Sequence, residues 1–303
     1  MSFSERVSQL PYLGIGVSTE YGAVLQKNSL DIKILRQSHP EFATFLEVGI
    51  ETSKGLDALA SWWSSQGLPT TYHFLDVNLD DPADYCEDWL DLVRRYCGLL
   101  QPAWMCGDAG LWHFGPRDRN HMLLLPPVLT DDAAKEMAEG IIRLREETGL
   151  EVLPENPPGS VFVGDLHILE FFARLCELAD TGILLDCAHL AIYQNAMGYE
   201  PLAGFDALDW SRVIEMHVAG STQSHVGDYW FIEDDHSTNV LPDTWTVFEN
   251  ACLRTSQLRA VVFECERNLI SKTLPHFQHI LTTMEQIRTG LPSIDAMERA
   301  HVP

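Results

Sequence analysis

The chain alternates between two kinds of segment. Short apolar runs, rich in Val, Ile, Leu and Phe, recur eight times: YLGIGV (12–17), TFLEVGI (44–50), TTYHFLDV (70–77), PAWMCG (102–107), LEVLPEN (150–156), GILLDCAH (182–189), RVIEMHVAG (212–220) and RAVVFECE (259–266). Runs with so few internal charges read as strands buried on both faces. Between them lie stretches with helix punctuation. DALASWWSSQG (57–67) stops on Gly, and DYCEDWLDLVRRYCGLL (84–100) carries acids early and arginines late, as the helix dipole favours. TDDAAKEMAEGIIRLREETG (130–149) opens on a Thr cap, and DLHILEFFARLCELADTG (165–182) repeats the scheme. Strand and helix alternating eight times predict an α/β fold, a (β/α)8 TIM barrel. One domain over 1–303 is expected, with a closing helix at about 270–288 and a loose tail at 289–303. A doubly wound open sheet is the runner-up. It favours a Gly-rich phosphate loop after the first strand, and GIGVSTEYG is no GxGxxG.

Polar residues interrupt or follow five of these runs: His73; Glu155 with Asn156; Asp186 with His189; His217; and Glu264. In a parallel barrel the C-terminal ends of the strands meet on one rim, so these residues converge. The stretch FIEDDHS (231–237) falls after the seventh strand, on the same rim, and is expected as a loop. Asp234 and His236 can both point inward from it, because side chains two apart in an extended chain share a face. Imidazole and carboxylate without cysteine suit iron, manganese or zinc. The candidate ligands are His73, Glu155, Asp186, His189, His217, Asp234, His236 and Glu264, enough for two or more ions with bridging carboxylates. Each has a plainer reading. His73 fits a hydrogen-bonded core histidine, Asp186 a cap, Glu264 an ion pair with Arg267, and Glu233 and Asp235 a solvated turn. Five strand ends bearing such groups together favour the metal reading, since an unpartnered buried carboxylate is costly.

Composition narrows the setting. Hydrophobic residues make up 46% of 303, the profile of a globular chain. A net charge of −24, from 20 basic and 44 acidic residues, argues against nucleic acid and anionic membranes as partners. No segment approaches a membrane span, and MSFSERVSQLPYLGIG lacks the pattern of a signal peptide. Seven cysteines with no CxxC pair argue for reduced thiols and a cytoplasmic location.

The ordered set E-N-P (155–157), L-L-D-x-x-H (184–189), E-M-H-V-A-G (215–220), D-D-H (234–236) followed by Trp245, and F-E-C-E (263–266) resembles the multinuclear non-heme iron-dependent oxidase family, formerly the DUF692 family. Its members include the methanobactin and 3-thiaglutamate biosynthesis oxidases. The resemblance implies a xylose-isomerase-like barrel with two or three iron ions (Fe²⁺/Fe³⁺) and O₂ as co-substrate. It implies oxidation of a cysteine in a ribosomally made precursor peptide, which a leader-binding partner protein can deliver. A ferric ion would bind the substrate thiolate, and a ferrous neighbour would activate O₂. The eight candidates fall on ligand-type positions of the family motifs, with Asp234 and His236 expected to be catalytic as well.

Two places depart from the family pattern. Where it carries a serine–acid–histidine run, this chain reads CGDAGLW (106–112): Asp108 fits the acid, and Ala109 stands where the histidine belongs, so either His113 substitutes or one iron site is weak or empty. On the first strand, Ser18 or Glu20 replaces basic residues that could hold substrate. Two other functions stay open: a divalent-metal sugar isomerase or epimerase on the same barrel type, and a degenerate peptide-binding homologue without catalysis.

Overall fold

The computed structural model describes residues 1–19, 29–117 and 123–289. Its strands are β1 (Gly14–Thr19), β2 (Phe45–Ile50), β3 (Thr70–Phe74), β4 (Met105–Asp108), β5 (Val128–Leu129), β6 (Val152–Glu155), β7 (Val163–Gly164), β8 (Ile183–Asp186), β9 (Val213–Val226), β10 (Tyr229–Ser237) and β11 (Ala260–Glu264). Eight of them pair in parallel in the order β1-β2-β3-β4-β6-β8-β9-β11, and β11 returns to β1 to close a barrel. Each barrel strand is followed by a helix among the described residues: Ile32–Ser38, Ala58–Ser65, Glu87–Leu100, Asp131–Thr148, Ile168–Ala179, Cys187–Met197, Pro242–Arg254 and Ile270–Thr289. The expected barrel is therefore the observed fold. Glu20 and residues 290–303 of the expected tail lie outside the described residues.

Several helix signals act as read, although the helix Ile168–Ala179 is capped by His167 and closed by a left-handed Asp180 rather than by the Asp and Gly that end its run. Thr130 and Asp57 each accept a hydrogen bond from the backbone three residues on, and Gly149 closes its helix in the left-handed conformation. Boundaries shift at most of the runs, and two of the shifts bear on the rim. PAWMCG contributes a strand only from Met105, after Pro102 and Ala103 have turned the chain in. GILLDCAH is a strand only to Asp186, and His189 lies in the first turn of the helix that Asp186 caps.

Core packing falls on two sides of the barrel wall. Outward residues such as Ile15, Val17, Leu46 and Val48 pack against the helices, and Ala109 belongs to this outer layer. Inside, Phe45, Trp104, Cys106, Leu153, Leu184, Ile214 and Val262 fill the N-terminal half, and the helix Phe3–Val7 plugs that end with Phe3 and Val7. Arg6 pins the plug through Glu151, 2.7 Å away. Gly16 is required here, because a Cβ would stand 2.4 Å from the Phe45 ring.

Candidate metal centre

Five strands repeat one rule on their inward face. Two residues beyond an inward apolar or thiol side chain comes a carboxylate: Phe45 then Glu47, Cys106 then Asp108, Leu153 then Glu155, Leu184 then Asp186, Val262 then Glu264. Positions i and i+2 of a strand share a face, so each strand turns from apolar to acidic as it nears the C-terminal mouth. His73 on β3 and His217 on β9 sit among these acids. His217 Nδ1 lies 3.3 Å from Glu155 Oε1, 3.5 Å from Glu264 Oε1 and 3.9 Å from Asp186 Oδ2. His73 Nε2 lies 2.9 Å from Glu155 Oε2, and Asp108 joins these two in one cluster.

The remaining donors arrive on β10. The FIEDDHS stretch is a strand, not the loop the sequence suggested: β9 runs past the rim and β10 returns antiparallel to it. Simple alternation does not explain the Asp-x-His pair either. Pairing jumps from Asp234↔Ser221 to Ser237↔Gly220, a bulge in which Asp235 and His236 have no cross-strand partner. His236 takes a left-handed backbone, φ 49°, and Asn268 Nδ2 donates to its carbonyl at 2.6 Å. Gly220 admits the bulge, because a Cβ there would lie 2.0 Å from the Ser237 carbonyl oxygen. The result sets His236 Nε2 3.2 Å and His189 Nε2 3.1 Å from the same oxygen, Asp234 Oδ2. Asp235 bonds Thr222 and Glu233 bonds Ser224 at 3.2 Å, both on the hairpin's exposed part.

Asp186 fits both readings the sequence left open. Its Oδ1 caps the following helix by accepting from His189 N at 2.6 Å, and its Oδ2 has no partner. Glu264 faces His217 and His236. Six of the eight predicted candidates thus line one cavity of about 320 Å³, and the other two, Asp186 and His217, lie beneath it with no exposed surface, His217 Nδ1 facing Glu155, Glu264 and Asp186. Two expectations need correction. His113 does not substitute for a ligand: its Nε2 lies 3.0 Å from Asp84 and its Nδ1 is 2.9 Å from the Gly115 carbonyl oxygen. Ala109 is buried in the outer layer, and Asp108, one residue earlier, lines the cavity. Ser18 hydrogen-bonds Glu266. The residues the sequence reading missed are Glu47 and Glu266. Glu47 carried the same signal as Glu264, an acid inside an apolar run.

Electrostatics here is unbalanced. Seven carboxylates (Glu47, Asp108, Glu155, Asp186, Asp234, Glu264, Glu266) meet four imidazoles (His73, His189, His217, His236), so carboxylates outnumber imidazoles even when every ring is protonated. Burial and the Glu155 charge push Asp108 up to about 8. Burial also lifts Asp186 to about 7, against the pull of His189 and with the help of Glu264 and Glu155. Burial opposes charging His73, but Glu47 and Glu155 outweigh it and hold the ring up to about 9. Among the described residues, Asp108 Oδ1, Asp186 Oδ2, His217 Nδ1, Asp234 Oδ1 and Glu264 Oε2 are buried without a hydrogen-bond partner. Five such atoms in one place are what a bound cation would satisfy, and oxygen and imidazole nitrogen are donors that hold divalent metals.

Fold and rim define a xylose-isomerase-like TIM barrel with a candidate metal centre at its C-terminal mouth. The chain belongs to the RiPP precursor modification enzyme family MbnB/TglH/ChrH, whose profile matches residues 18–291. It is 25% identical over 197 residues to a UPF0276 protein of Anaeromyxobacter sp. strain Fw109-5, covering 64% of this chain and 68% of the relative. It is 26% identical over 226 residues to a UPF0276 protein of Acaryochloris marina, covering 74% and 77%. Among solved structures it resembles a xylose isomerase-like TIM barrel protein from Mycobacterium smegmatis in complex with magnesium: TM-score 0.57, 10% identity, 93% of this chain and 99% of that one. A Thermus thermophilus protein soaked with ZnCl₂ matches at TM-score 0.50 and 16% identity, over 88% and 98%. These likenesses show the fold. No helix among the described residues is long and apolar enough to cross a membrane.

Proposed function

We propose that this chain is a multinuclear non-heme iron oxidase that uses O₂ to modify a cysteine of a ribosomally synthesised precursor peptide. The observation that carries the reading is the set of five unpartnered buried donor atoms converging on one carboxylate–imidazole rim, in a chain of a RiPP precursor modification family. In this reading His73, Asp108 and Glu155 hold one ion. His217, Glu155, Asp186 and Glu264 hold a second, and His189, Asp234 and His236 a third. Bound there, iron would supply redox chemistry toward O₂ and a Lewis-acidic seat for the cysteine sulfur.

The chain's own residues bind and orient. Glu155 and Glu264 each offer two oxygens to different neighbours, which suits bridging. Glu266 accepts from His236 Nδ1 at 2.9 Å and aims Nε2 at the cavity. His236 is the most exposed of the four imidazoles, so it and Asp234 meet an incoming cysteine first. In this reading Asp234, held ionised against burial by His236 and His189, would serve as a charged hydrogen-bond acceptor for the thiol, and its Oδ1 has no hydrogen-bond partner.

The test is elemental analysis of anaerobically purified chain, followed by exposure to O₂ with a cysteine-containing precursor peptide. At least two irons per chain and an O₂-dependent mass change at cysteine are expected. Fewer than two bound metals, or turnover without O₂, contradicts the reading.

A further inference from the structure

Glu47 is buried inside the barrel at the base of the cavity, which it helps to line, and its carboxylate is crowded with donors. Both of its oxygens lie 3.2 Å from His217 Nε2. From the N-terminal side the Cys106 thiol donates to Oε2 at 3.1 Å, and the Thr71 hydroxyl donates to the same oxygen at 3.5 Å. A carboxylate only accepts, so the imidazole nitrogen facing it carries the hydrogen. With Nε2–H committed to Glu47, Nδ1 is the nitrogen left to present a lone pair once a cation takes the place of any proton held there. It faces Glu155, Asp186 and Glu264 and has no hydrogen-bond partner. Two other rim histidines are pinned the opposite way. His189 and His236 anchor Nδ1, on the Asn156 carbonyl and on Glu266, each at 2.9 Å, and turn Nε2 to the cavity.

We propose that Glu47 is a positioning residue that fixes His217 as the Nε2–H tautomer and makes Nδ1 the atom His217 offers to a metal. This rests on the metal-centre reading above and deepens it. Glu47 lies close enough to His217 and Glu264, and separately to Cys106 and Glu215, to be taken for a metal donor itself. Its oxygens are instead occupied by N–H, S–H and O–H donors, which satisfy a buried carboxylate without a cation. A charged acceptor behind the ring raises the basicity of the ligating nitrogen and locks the ring plane, so its loss weakens a bound metal by roughly 10- to 100-fold.

The experiment is an imidazole-¹⁵N-labelled full chain titrated with zinc, a diamagnetic probe, and read by long-range ¹H–¹⁵N spectra. The natural chain should show His217 protonated at Nε2 and zinc-bound at Nδ1. Glu47→Gln, which keeps volume and removes charge, should lose roughly 10- to 100-fold in affinity for one zinc while the other sites keep theirs. The tautomer is read on the natural chain, so a poorly folding variant does not spoil the test. His217 protonated at Nδ1, or equal zinc affinity in Glu47→Gln, overturns the proposal. So does a thiolate-to-cobalt absorption band in the cobalt-loaded chain that vanishes in Cys106→Ser, because Glu47 would then belong to an inner metal site. A natural chain that binds no zinc at all overturns the metal reading itself, and this proposal with it.

Discussion

Within one barrel, the same strands carry two interiors that differ in nearly every physical respect. The N-terminal half holds Phe45, Leu153, Leu184, Ile214 and Val262 and is plugged by the helix Phe3–Val7. Two residues further along, four of those strands present Glu47, Glu155, Asp186 and Glu264. The apolar half stabilises the fold by removing hydrocarbon from water, and the polar half opposes it by burying charge without enough counter-charge. A barrel tolerates this because its packed layers and outer helices stand independently of the mouth. The comparison teaches that function can be concentrated at one end of a strand while its other end supplies the stability.

The sharpest way to break the comparison is to remove a floor donor. Asp186→Ala and His217→Ala should each lose at least one metal per chain and essentially all activity while staying folded. For Asp186→Ala the lost helix cap costs about 1 kcal/mol. Iron per chain and the thermal midpoint check this, and retained iron in either variant shows a misassigned ligand. The converse is Phe45→Ala in the apolar half. It should cost about 3–5 kcal/mol in urea unfolding and leave metal per folded chain unchanged. A loss of metal from fully folded variant would mean the two interiors are not separable.

A smaller effect is expected at the fourth strand. Asp108→Ala should release the ion shared with His73 and Glu155 at roughly 10- to 100-fold lower chelator concentration. Ala109→His should not tighten it, since that side chain packs in the outer layer. There an imidazole overpacks the core by about 1–3 kcal/mol. Tighter retention in Ala109→His would return the ligand position to residue 109.

The smallest effect is graded by pH. In the metal-free chain His73 is held up to about 9, burial opposing and Glu47 and Glu155 favouring the charge, and Asp108 is held up to about 8 by burial and Glu155. Both therefore carry protons near neutrality that a metal must displace. Affinity should rise as pH increases toward 9 and fall as pH drops below 8, by up to about tenfold per unit for each proton released. Calorimetry in buffers of different ionisation enthalpy counts those protons. Binding independent of pH between about 6 and 9 would show that these groups are not ligands.

Much of this was legible in the sequence because periodicity and burial are local signals. Eight apolar runs pointed to the barrel, and acids at their ends marked the rim. What stayed hidden depended on context. Glu47 was visible as an acid inside the FLEVGI run, but its partner His217 is 170 positions away and only barrel closure brings them together. Asp108 follows Cys106 on the inward face of its strand and lines the cavity while Ala109 packs outside, so the motif comparison, which set the ligand position at 109, pointed one residue too far. The bulge at Asp235 and His236 was equally invisible: alternation correctly paired Asp234 with His236, but through the wrong backbone.

The most direct test of the metal centre is anomalous diffraction at the iron edge from anaerobically grown, iron-loaded crystals. At least two anomalous peaks are expected at the C-terminal mouth. One lies among His73, Asp108 and Glu155, and one beside His217 Nδ1, between Glu155, Asp186 and Glu264. A loaded crystal with a single peak, or with none bound by these residues, would contradict the metal centre described here.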